Sequence, residues 1–273
     1  MAGPGKKWLI GCGLGCGIPI LLLLLVTIGG GIFMMKPFNK AVDTQKELSA
    51  TYGKRSDYVP AAGGLNPERL EKFMNVRREL VPYCDNFNEI SAKFEEMEKL
   101  DAGGEEPSKG EVFNAVGNMM SAVMGIAGNI GRFTATRNDA LLNQDMGLGE
   151  YIWIYTLVYN SWLEHPPNTD FEERKNGEYS AEEKRVIQQL MRSHAQALTE
   201  VGRTEEAAAW TAEAGHLERS EGTGVPWVAH QLPEAVSQAL EPYRTELAEL
   251  YCQATSSFEF SQVKKKGLTI SSE

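Results

Sequence analysis

An unbroken apolar run from Trp8 to Met35, with no charged residue between Lys7 and Lys36, constrains this chain more than any other feature. A bilayer core about 30 Å thick is crossed by about 20 apolar residues at helical rise, and this run exceeds that length. Backbone polar groups in lipid must be satisfied within the segment, so one transmembrane helix is expected despite Pro19 and the glycines. The run is too long for a secretory apolar region, and Gly29, Gly30 and Gly31 make a poor cleavage site. It reads as an uncleaved single-pass anchor over residues 1–36, in contact with the lipid bilayer through residues 8–35. Leu9-Ile10-Gly11-Cys12 has the residue types of a lipoprotein box, but its apolar stretch follows the cysteine instead of preceding it. Gly11 with Gly15, and Gly13 with Gly17, have the small-xxx-small spacing that lets two membrane helices approach, which makes them candidates for transmembrane self-association.

Flanking charge does not decide the direction of this anchor. Lys6, Lys7 and the terminal amine balance Lys36 and Lys40. A short basic N-terminus ahead of a long apolar run resembles a signal anchor, which places the body on the extracytoplasmic, periplasmic side. Beyond residue 36 the chain holds 24 basic and 37 acidic residues, a net of 24 − 37 = −13. Nucleic acid and anionic leaflets both require clustered Lys and Arg, so neither is an expected partner of the body. Two of the four cysteines lie in the anchor. Cys84 and Cys252 remain, without Cys-x-x-Cys spacing, and are expected as buried free thiols.

The body reads as all-α: an antiparallel multi-helix bundle built on a long αα-hairpin. A juxtamembrane helix and irregular linker are expected over 37–65, the bundle over 66–257 and a disordered tail over 258–273. Asn66-Pro67-Glu68 supplies a cap, a first-position proline and a first-turn acid. Phe73, Leu80, Phe87 and Phe94 then recur every seven residues, as do Val76, Tyr83, Ile90 and Met97, with Arg77, Arg78 and Glu79 off this seam. Pro82 is expected to kink the helix. After a turn over 101–110, a matching helix over 111–143 would complete the hairpin.

Val112 to Gly131 carries no charge, but Asn114, Asn118, Ser121 and Asn129 argue against a second span. Met119, Met120 and Met124 give that helix an adaptable face, a candidate surface for a protein partner. Residues 150–163 are apolar nearly all round and should form the central helix. Ser180 with Glu183 matches a capping box, and helices are expected over 181–201, 204–220 and 233–256, the last with Pro242 as an interruption.

No motif with specific chemistry stands out. Glu213-Ala-Gly-His216 is a lone Glu-x-x-His pair, whereas a carboxylate-bridged metal centre needs two and further inward acids. No phosphate-binding glycine loop or nucleophile elbow is present, so neither a cofactor nor a metal is implied and the reading leans away from an enzyme. The expected role is a membrane-anchored binding, scaffold or accessory component of a cell-envelope assembly. The rival is an enzyme or small-ligand binder with a polar pocket at Arg137, Glu150, Tyr151 and Tyr155, where a buried Arg–acid pair is expected.

Overall fold

The computed structural model describes residues 36–101, 128–167, 179–219, 225–228 and 231–262, with the side chains of 90–101 left out. The anchor with Gly11, Gly13, Gly15 and Gly17, most of the hairpin turn, and Met119, Met120 and Met124 lie outside the described residues. Among those described, every element is helical, and no helix is long and apolar enough to cross a membrane.

Helix α1 (36–52) leads through an irregular segment into α2 (Pro67–Asp101), which spans 35 residues and runs through Pro82 as one helix. Asn66 Oδ1 accepts from the Glu68 N–H at its start. Of the described seam residues, Phe73, Val76, Leu80 and Phe87 are buried and Tyr83 is half-buried. Helix α3 (128–143) packs antiparallel to α2. Asn75 bonds Gln144, the Tyr83 and Thr136 hydroxyls meet at 2.7 Å, and Phe87 meets Phe133 edge-on. The numbers rise on one helix as they fall on the other, as an αα-hairpin requires.

The first helix and linker pack into the bundle. Ala41, Leu48 and Arg55 are buried, and Asn138 of α3 donates to the Ala41 carbonyl. Lys40 pairs with Asp139, Gly131 abuts Pro37 and Gly147 abuts Tyr52, so α1 runs parallel to α3. Gly149 admits the linker: a Cβ there would overlap the Arg55 carbonyl and come within 2.7 Å of the Tyr58 Cβ.

The central helix begins at Leu148, two residues before its expected start. As α4 (Leu148–Tyr155) it is wholly buried, and from Thr156 to Trp162 it widens into a π-helix. A hairpin of α5 (Ala181–Glu200) and α6 (Thr204–Arg219) packs beside it. Ser180 and Glu183 form the full capping box, and Gly202 makes the turn at φ +82°, a conformation that costs a residue with a Cβ. Trp153, His194 and Trp210 fill the junction with ring centroids 4.8–5.3 Å apart.

The helix expected over 233–256 is interrupted at Pro242, as its sequence implies, and ends at Glu249, short of the expected 256. Helix α7 (Glu234–Leu240) gives way to a 3-10 turn at Glu241–Tyr243, then α8 (Arg244–Glu249) and a second 3-10 turn at Gln253–Phe258. Pro242 lacks an N–H and its ring opposes the carbonyl four residues back, which ends α7. Two further corrections concern the C-terminal part. Cys84 and Cys252 are joined in a disulfide, with Cα atoms 5.8 Å apart. The expected tail does not start at 258: Phe258, Glu259 and Phe260 are 2%, 0% and 5% exposed. Each is held by partners far away in sequence, so no local pattern reports the burial.

Candidate functional site

The four residues of the expected pocket separate into two groups. Glu150, in the first turn of α4, receives a two-pronged Arg69, at 2.6 and 2.5 Å, and Arg69 also donates to the Asp145 carbonyl. Arg137, Tyr151 and Tyr155 instead surround the C-terminal segment. An Arg–acid pair does lie in the core, but it joins Arg77 to Glu259, not Arg137 to Glu150.

Arg77 stands on α2 beside the seam residue Val76 and is 1% exposed. Its guanidinium donates to Glu259 Oε1 at 2.5 Å, to the Tyr151 hydroxyl at 2.9 Å and to the Leu250 carbonyl at 3.0 Å. Glu259 also accepts from Tyr151 at 2.6 Å and Thr255 at 3.0 Å. The guanidinium lies 5.4 Å from the Tyr155 and Tyr159 ring centroids, within cation–π range. Burial works against the Arg77 cation, yet the Glu259 carboxylate and the tyrosines outweigh it and hold its pKa well above the usual value.

Arg137 lacks a carboxylate contact among the described residues. It donates to the carbonyls of Phe258, Glu259 and Ser261 at 3.1, 2.6 and 2.9 Å, and to Asn138 Oδ1. Burial lowers its pKa. Arg55 donates to the intervening Phe260 carbonyl at 2.7 Å and pairs with Glu182. Four consecutive carbonyls, 258 to 261, thus accept from two arginines of separate elements, while Arg77 grips Glu259. A guanidinium suits this task because its planar fork presents five fixed donors.

These groups form a filled arginine clasp. The tyrosines complete its walls: Tyr151 packs on Phe73 and Tyr155, and Phe260 meets Tyr155 edge-on and stacks on Tyr179. Arg77 and Glu259, the centre of the site, were read as an off-seam charge and a tail residue. The available signal was Phe258-Glu259-Phe260, two aromatics flanking the acid. Glu213 of the lone Glu-x-x-His pair accepts from the Trp227 N–H at 2.6 Å.

Burial raises the pKa of Tyr151, Tyr155 and Tyr179, and pushes Tyr159 up to about 12 from an ordinary 10. A tyrosine that keeps its proton in the fold contributes stability fully below pH 10 and loses it as pH rises through the folded value. Stability is therefore expected to fall between about pH 10 and 12, with tyrosinate absorbance appearing together with loss of helical circular dichroism. Tyrosinate rising smoothly in a chain that stays folded would contradict this burial.

No protein-family model, curated protein or solved structure gives a significant match to this chain. The functional reading rests on sequence and geometry alone.

Proposed function

We propose that this protein is a single-pass, membrane-anchored helical module, with its body outside the cytoplasm, that serves as a binding, scaffold or accessory component of a cell-envelope assembly. The Cys84–Cys252 disulfide carries the reading, because structural disulfides persist in oxidising compartments. It agrees with the direction argued from the basic N-terminus and the apolar run. Topology supports it further. The parallel course of α1 and α3 brings residues 36 and 128 to one end of the body, and α2 continues past Phe87 toward that same end. The fourteen residues from Phe87 to Asp101 add about 21 Å at helical rise. A partner met at that end would lie beside the start of α1, where the proposed anchor joins the body.

The pocket rival is disfavoured because Arg137, Glu150 and Tyr151 spend their polar atoms on the protein itself. Crosslinking in native membranes followed by pull-down tests the proposal, with a distinct envelope protein as the expected product. Recovery of this chain alone would overturn it. Labelling of Cys84 and Cys252 in intact cells, without reductant, by a membrane-permeant maleimide but not by an impermeant one would overturn the extracytoplasmic placement.

A further inference from the structure

Beside the clasp lies a cleft of about 600 Å³ lined mainly by polar and charged residues, within the usual range of small-ligand sites. Its walls come from α1, the linker, the start of α5 and Gln262, so one arrangement of the C-terminal segment shapes both clasp and cleft. Three cations, Lys54, Arg55 and Arg185, line it against one carboxylate, Glu182. On a chain of net charge −10 the lining reverses the sign locally, although the Asp57 carboxylate accepts from the Lys54 N–H and Glu183 acts on Arg55 from beside it. The charges differ in employment. Arg55 is buried on the Phe260 carbonyl and Glu182, whereas Lys54 and Arg185 are exposed and have no ion pair among the described residues. Neutral hydroxyl and amide groups fill most of the remaining wall, Ser49 and Gln189 among them.

We propose that this cleft binds a small polyhydroxylated anion of the sugar-acid class. Lys54 and Arg185 take the carboxylate, and the serine and glutamine side chains take the hydroxyls. A fixed Arg55 below them adds positive potential that needs no rearrangement on binding. Burial lowers the Arg55 pKa, a cost that a bound anion would offset. The assignment goes beyond the anchoring role and rests on it only for the choice of a soluble ligand over a lipid headgroup. Gln45, also in the lining, lies nine residues along α1 from Lys36, about 14 Å at helical rise, which favours a soluble ligand over a headgroup of the anchoring membrane.

The full-length protein in a sugar-free polyoxyethylene detergent is titrated calorimetrically with glucuronate, glucose and inorganic phosphate. Saturable glucuronate binding is expected, at least about tenfold tighter than glucose or phosphate and weakened by salt. Lys54→Gln with Arg185→Gln should weaken it about tenfold or more and leave thermal unfolding unchanged, because both side chains are exposed. Glucuronate binding that is absent, unaltered in the double variant, or matched by phosphate or glucose would overturn the assignment. So would weakening explained by a destabilised variant, which a charge-keeping Lys54→Arg with Arg185→Lys would then fail to restore.

Discussion

Glu259→Gln is expected to destabilise the body by about 3–5 kcal/mol, the usual cost of leaving a buried charge without its partner. The substitution preserves shape and removes only the negative charge. Arg77 then remains in the core, 1% exposed, with only the Leu250 carbonyl and neutral groups to balance it. Against a total stability of about 5–15 kcal/mol for a typical domain, that is a large fraction. Chemical denaturation with and without Arg77→Met distinguishes the charge from mere packing. If the pair is what matters, the double variant should be more stable than Glu259→Gln alone, because a buried ion pair can often be replaced by apolar groups at little cost. Simply additive losses would show that Glu259 acts through its contacts to Tyr151 and Thr255 instead.

Opening the disulfide is the other change with a large expected effect. The bond closes a loop between residues 168 apart, for which chain entropy predicts about 5 kcal/mol, with measured losses of about 2–5 kcal/mol in other proteins. Cys252→Ser, or reduction at neutral pH, should lower the melting temperature by roughly 10 °C. Both cysteines sit where the clasp begins: Cys252 follows Leu250, whose carbonyl receives Arg77. Loss of the bond should therefore expose residues 250–262 to proteolysis before the α5–α6 hairpin is cut. Simultaneous cleavage of both regions would show that the bond stabilises the molecule without a special hold on its C-terminal segment.

Elements whose cause is local were legible in the sequence. The seven-residue spacing of Phe73, Leu80 and Phe87 located the buried side of α2, and Ser180 with Glu183 located the start of α5. The apolar stretch from Tyr151 to Tyr159 identified the central helix, although not its π-helical half. What was not legible depends on distant partners. Arg77 meets Glu259 across 182 residues, and Arg137 reaches the Ser261 carbonyl across 124. A backbone carbonyl leaves no mark in a sequence, so the purpose of Arg137 could be narrowed only to a buried charge. Two lone cysteines likewise permit a bond without requiring one.

The arginine clasp also imposes an order on synthesis. Its acceptors, residues 258–261, follow its donors on the linker, α2 and α3 in the chain, so the donors emerge much earlier. Until those last residues arrive, Arg77 and Arg137 lack their main acceptors, and the faces of Tyr155 and Tyr179 that meet Phe260 are uncovered. The centre of the body therefore cannot close before residues 258–261 have been delivered. Docking of residues 258–261 is therefore expected to be a late step in folding, after the linker, α2 and α3 have brought their arginines together.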